Sequence, residues 1–387
     1  MTEDTAPEPD RIAGAPHPRA TARVFGQAAA QAAFLSAFNA GRLHHGWLLS
    51  GPRGVGKATL AWRIARFVLA TPDPGGQGLF AEAPVQPQTL DIAPEHPVAR
   101  RVASLSEPGL HLVRRGGAGR GDAERAKAFN EARFSAEIRV EEVRRLARFI
   151  TLSAPDGGRR VVIVDSADEM NVSAANALLK MLEEPPARTV MLLVSHRPAR
   201  LLPTVRSRCR DLRLAPLAPD DLAAALAQAG ADPGGRAAAL AELSGGSVGV
   251  AVELLNLGGL ELYAELVALA ASLPVLDRSR ALALAEAAAA RGAGDRCDLL
   301  FQLVDLLLAR LARTGATGAP PPEAAPGEAR TLARLAPGLQ RARAWAALAQ
   351  EIGERARRGR AVNLDPAALV LDTVFKLQSC AQSCAQA

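Results

Sequence analysis

Up to Leu214 short apolar runs alternate with stretches of helical spacing; beyond Pro219 the pattern is helical almost throughout. Residues 28–38 (AAAQAAFLSAF) predict a helix that Gly41 stops. Trp47, Leu48 and Leu49 predict a short buried strand leading into a glycine-rich loop, and residues 60–69 return to helical spacing. Seven prolines between Pro72 and Pro108 make residues 71–110 loop-like. His111, Leu112 and Val113 suggest a second strand, and residues 116–122 a flexible loop. Ile138, Val140, Val143, Leu146, Ala147 and Ile150 share one helical face, ahead of a four-residue apolar strand at 161–164. Residues 173–184 predict a strong helix stopped by Pro185 and Pro186, with further strands at 190–194 and 211–214. Strands alternating with helices predict a parallel sheet covered on both faces.

After Pro219, three helical segments at 220–229, 235–243 and 247–255 are separated by glycines. A longer helical region follows from Leu260, interrupted by a Pro/Gly stretch at 314–327. The changes of pattern place boundaries that give units at 21–216, 217–257 and 258–387, with Pro/Ala-rich residues 1–20 expected to be disordered. A chain of 387 residues accommodates two or three domains.

Charge changes this picture little. The formal net charge is +6, and the only lysines are Lys57, Lys127, Lys180 and Lys376. The arginine skew, with so much alanine and glycine, resembles coding bias more than a phosphate-binding surface. Four scattered cysteines are too few for a disulfide framework, and Cys380 and Cys384 are expected as free thiols on a helical tail. Residues 1–10 are acidic and Pro-rich, without an apolar signal region, and no apolar run reaches the roughly eighteen residues that span a bilayer. A soluble, cytoplasmic protein without a membrane role is expected.

The candidate chemistry begins at Gly51. Residues 51–57 (GPRGVGK) fit the phosphate loop G-x-x-x-x-G-K, in which Gly51, Gly54 and Gly56 let backbone N–H groups turn toward phosphates. Lys57 would put a cation on the β and γ oxygens. The next residue is Ala58, where a serine or threonine usually gives Mg²⁺ a hydroxyl; Thr59 comes one position late, about 100° further round the helix. Asp165 ends an apolar strand, as does the acid that holds hydrated Mg²⁺ in nucleotide-binding sheets. The slot after it, where a hydrolysing enzyme carries a base, holds Ser166. Asp168 and Glu169 follow the strand and belong to a loop or the next helix. Little or no hydrolysis is expected. Ser195 ends the next strand, either sensing a γ-phosphate or serving as a satisfied strand-end serine. Arg208, between Arg206 and Arg210, reads in isolation as a surface arginine.

Taken together, residues 167–186 (ADEMNVSAANALLKMLEEPP), the SRC run at 207–209 and residues 25–61 resemble the clamp-loader branch of the AAA+ ATPases. The resemblance covers residues 23–256; beyond them only helical character and the run NLDPAALVLDTVFKL match. It implies an α/β fold: a P-loop, RecA-like parallel-sheet domain, then a small helical lid and an all-α collar that joins a five-subunit ring. It also implies that Arg208 reaches in trans to the γ-phosphate of ATP on an adjacent motor subunit. The implied role is a stator working with gamma/tau and delta subunits to load a sliding clamp onto primed DNA.

Residues 70–135 contain no cysteine, so the zinc module of many relatives is not expected. Gly246-Ser247-Val248-Gly249 lacks the arginine that motor subunits carry shortly after this Gly-Ser. ATP with Mg²⁺ is a possible ligand of the loop. Two other readings stand beside the stator: a motor subunit that hydrolyses ATP itself, and a stand-alone DNA-binding switch ATPase. The modest charge does not favour the last.

Overall fold

The computed structural model describes residues 8–71, 86–151 and 158–383. The chain forms two compact units, one built from residues up to Gly230 together with Ser247–Gly249, the other from Ala231–Gly246 and from Val250 onward.

The first unit runs α1 (Ala28–Asn39), β1 (Gly46–Ser50), α2 (Lys57–Ala70), α3 (Pro97–Ala103), β2 (Leu110–Val113), α4 (Asp122–Asn130), α5 (Val140–Thr151), β3 (Arg160–Val164), α6 (Val172–Glu183), β4 (Thr189–Ser195), α7 (Pro203–Arg206), β5 (Arg210–Arg213) and α8 (Pro219–Gln228). The strands make one sheet in the order β2-β3-β4-β1-β5. Every pairing is parallel. Parallel strands buried on both faces need continuous apolar runs, and β1, β3 and β4 are buried along their whole length.

Side chains alternate across the sheet. Leu48, Val162, Val164, Met191 and Leu193 face a core that also holds Val143 and Leu146 of α5 and Leu178 and Leu182 of α6. Trp47 points the other way, its ring 4.9 Å from Phe34 of α1. The expected sheet covered on both faces is the observed one.

Local signals set the helix ends. At the end of α1, Gly41 takes φ +65° while Arg42 N donates to Ala37 O at 3.2 Å, a C-terminal wrap that favours glycine. Asn171 caps α6 by accepting from Ala174 N at 2.9 Å. Two helices depart from expectation: α3 lies in the stretch read as loop, and α4 follows the Gly-rich segment. Pro97 opens α3 at a position that needs no N–H donor, so a residue counted as a loop signal starts a helix. Residues 72–85 of that stretch, and Cys384, lie outside the described residues.

The expected disorder of residues 1–20 is corrected for the part described. Residues 1–7 lie outside the described residues, but from Glu8 the segment is fixed by long-range charge pairs that outweigh its Pro/Ala composition. Asp10 meets Arg114 at 2.6 Å and His17 at 3.1 Å.

The second unit is helical, comprising α9 (Ala237–Ser244), most of α10 (Val248–Asn256), α11 (Gly259–Ser272), α12 (Arg278–Ala289), α13 (Gly294–Thr317), α14 (Glu328–Leu335), α15 (Leu339–Ala361) and α16 (Pro366–Ser383). Trp345 is fully buried and its Nε1 donates to Leu335 O at 3.0 Å. The buried Glu328 carboxylate accepts from Tyr263 Oη and Arg310 Nε at 2.6 Å each and from Ala324 N at 2.7 Å. A charge so satisfied can be buried. Among the described residues no single helix is long and apolar enough to cross a membrane.

Candidate functional site

The carboxyl ends of parallel strands are where an open α/β sheet binds ligands. Here that edge collects Ser50 and the loop after β1, Asp165 after β3, and Ser195 at the end of β4. The register aligns them: Ser50 pairs with Ser195, and Val113 with Val164, so that Arg114 and Asp165 both follow the last paired residues of their strands.

Close backbone approach at Gly51 and Gly54, and positive φ at all three glycines, fix these residues in the loop. Gly51 takes φ +144°, and a Cβ on it would lie 2.4 Å from Leu214 O. Gly54 takes φ +78°, and its Cβ would lie 2.2 Å from Ser247 Oγ and 2.8 Å from Gly249 N. Ser247 Oγ donates to Arg53 O at 2.8 Å. Gly56, in left-handed conformation, turns the chain directly into α2 at Lys57.

Lys57 is 3% exposed. Its Nζ donates to Gly51 O at 2.8 Å and to Pro52 O, so the ammonium lies folded on its own loop. Burial lowers its pKa to about 8, against the opposing pull of Asp168 and Asp165. A phosphate in place of those carbonyls would raise the pKa again by supplying a negative partner.

Asp165 is pushed up to about 7, first by burial and then by the charges of Asp10 and Glu169. Ser166, in the slot of the missing base, takes φ +59°. Its hydroxyl contacts His196 Nε2 at 3.3 Å. His196 N donates to Asp168 Oδ1 at 2.9 Å. Burial and the charge of Lys57 lower the His196 pKa to about 4, keeping the ring neutral. Arg115 Nε pairs with Glu169 at 3.2 Å, and Asp168 is used by His196, so both acids are tied within the protein.

Ser195 is fully buried, yet its Oγ has no hydrogen-bond partner among the described residues, so it is not a satisfied strand-end serine. A buried hydroxyl left unmatched at a phosphate loop fits a ligand oxygen. The loop, Lys57 and Ser195 therefore suit phosphates. A metal fits less well. Ala58 has no hydroxyl, Thr59 lies one residue further round α2, and burial pushes the Asp165 carboxyl up toward 7, against the ionised form a cation needs. Among the described residues no group of three or more His, Cys, Asp or Glu can hold a metal.

Arg208 lies elsewhere. A Cβ placed on Gly46, the first residue of β1, would lie 3.1 Å from Arg208 O and 3.3 Å from Cys209 Sγ. This is the amino edge of the sheet, and β1 carries the chain about 13 Å from Gly46 to Ser50 before the loop begins. The guanidinium donates to Thr204 O at 3.0 Å and meets Glu183 Oε1 at 2.9 Å, with the side chain 37% exposed. Cys209 packs against the core below it, and burial pushes its thiol up to about 12, so it anchors and does not react. Arg210 lies over the Trp47 ring at 5.3 Å. Of the expected site residues, Gly51, Gly54, Gly56, Lys57, Ala58, Thr59, Asp165 and Ser195 share one edge; Arg208 alone is at the other. His196, Arg114 and Arg115 join the loop edge without any local sequence signal.

Residues 26–218 match the family described as DNA polymerase III, delta subunit. The chain is similar to DNA polymerase III subunit delta' of Pseudomonas aeruginosa, 37% identical over 165 residues, 43% of this chain and 41% of that protein. It is similar to the delta' subunit of Escherichia coli, 30% identical over 189 residues, 47% of this chain and 46% of that one. The gamma/tau subunit of Mycobacterium tuberculosis is 31% identical over 212 residues, 54% of this chain and 31% of that protein. The chain thus spans less than half the length of these relatives.

Proposed function

Through residues 26–218 the chain belongs to the DNA polymerase III delta subunit family, and on that premise we propose that it is a non-motor, delta-prime-type subunit of a clamp loader. In this reading it sits in a five-subunit ring with gamma/tau and delta subunits in the cytoplasm. It supports ATP-dependent loading of a sliding clamp onto primed DNA and gives Arg208 to a neighbour's ATP.

One observation carries the reading. Arg208 lies at the sheet edge opposite Lys57, across the length of β1, and a side chain cannot reach back over that distance to its own loop. An exposed guanidinium held, among the described residues, by Thr204 O and the half-exposed Glu183 can turn outward to a phosphate on another chain. Ser166, Ala58 and the missing arginine near Gly249 support the absence of turnover here.

The motor reading is favoured by the intact loop and the unpartnered Ser195 hydroxyl. ATPase of the isolated chain separates the two: the stator reading expects none above background with ATP and Mg²⁺. Turnover that Lys57→Ala abolishes would overturn it.

A further inference from the structure

The loop edge is overlaid by residues 8–17 of the same chain, a segment that the proposed function does not use. Asp10 Oδ1 accepts from Arg114 Nη1 at 2.6 Å, and Glu8 Oε1 from the same nitrogen at 3.3 Å. Glu8 also pairs with Arg19, and Pro9 O accepts from Arg115 Nη2 at 3.2 Å. His17 Nδ1 accepts from Arg19 N at 3.0 Å, which puts a ring proton on Nε2, 3.1 Å from Asp10 Oδ2. The side chains of Glu8 and Asp10 are 6% and 3% exposed. Two carboxylates are therefore buried at one end of the sheet, held by cations from several elements.

Their position matters more than their strength. Arg114 follows β2 as Asp165 follows β3, and Asp165 N donates to Val113 O at 2.9 Å, so the Asp10 carboxylate lies beside the acid of the nucleotide edge. Ile12 covers the other side. Its Cδ1 would be 2.8 Å from a Cβ on Gly249, whose own N donates to Gly54 O at 3.3 Å. Asp10 thus fixes the segment at the β2–β3 end of the edge, and Ile12 lies next to the turn of the phosphate loop.

We propose that residues 8–17 form an occluding strap, with Asp10 anchoring it to Arg114 and Ile12 covering the Gly54 turn, so that a nucleoside triphosphate enters only when the strap lifts. With its carboxylates already paired to Arg114, Arg19 and His17, the strap keeps phosphates out by covering the edge where Lys57 and Ser195 would receive them. Access is then governed by strap opening, and affinity falls by the fraction of time the site is open. The inference rests on reading the loop as a nucleotide site; it does not depend on the role of Arg208.

The test uses the full chain and a fluorescent ATP analogue with Mg²⁺, titrated into wild type, Asp10→Asn and Ile12→Gly. Both variants are expected to bind about ten-fold tighter or more, as opening a site closed about nine-tenths of the time requires. A second readout needs no variant: trypsin cleavage after the exposed Arg11 should accelerate when ATP is added to wild type. If a variant fails to fold, the cleavage result decides. Equal affinities in folded variants, or cleavage that ATP leaves unchanged, overturn the strap even if the loop binds nucleotide. No binding by any form overturns the strap and the loop reading together, while leaving the Arg208 assignment standing.

Discussion

Substituting Arg208 by alanine should leave folding and assembly intact but lower DNA-dependent ATPase in a reconstituted loader, by about 10³-fold or more at the site it serves. A guanidinium placed against a transferring phosphoryl group stabilises charge that appears only in the transition state, so its loss falls on turnover more than on nucleotide affinity. Little structural cost is expected, because the half-exposed pair with Glu183 is of the kind worth at most about 1 kcal/mol. Cys209, half-buried against the core, keeps the turn in place in the variant. Steady-state ATPase with primed DNA and clamp, beside a thermal melt of the isolated chain, separates these effects. A normal rate in an intact assembly would remove Arg208 from the neighbour's active site.

The second large effect concerns stability. Asp165 carries a carboxyl whose folded pKa, about 7, stands above the ordinary 3.8. Above pH 7 the folded chain holds an ionised group that burial and the charges of Asp10 and Glu169 oppose. That penalty is fully present above the folded value, shrinks as pH falls from 7, and is gone below 3.8, where both states are protonated. Asp165→Asn should therefore stabilise the chain by about 2–4 kcal/mol at pH 8, with the gain fading toward pH 4. Denaturant unfolding at pH 8, 6 and 4 checks the sign. A gain independent of pH would show that packing, not ionisation, changed.

Much of the α/β unit was legible because its signals are local. Residues 161–164 are a short β-branched apolar run following a Gly-Gly pair, the pattern of a buried strand, and Gly54 marks a backbone conformation that other residues adopt at a cost. What escaped notice was either weakly patterned or long-range. Helix α4 buries only Ala128, so no apolar face announces it. The 8–17 segment reads as disordered because its order comes from pairs such as Glu8 with Arg114, 106 residues apart. His196 has its partner at Ser166, 30 residues earlier, and a lone histidine carries no spacing to betray it. The site was half legible in the same sense. The loop, Asp165 and Ser195 could be listed from the chain, but their common edge, and the separation of Arg208 from it, follow from strand order and register.

That separation is what a single comparison tests most directly: DNA-dependent ATPase of reconstituted loaders carrying either Lys57→Ala or Arg208→Ala in this chain. A subunit that lends an arginine without turning over predicts an unchanged rate for Lys57→Ala and a sharply reduced one for Arg208→Ala. Loss with Lys57→Ala and a normal rate with Arg208→Ala would contradict it.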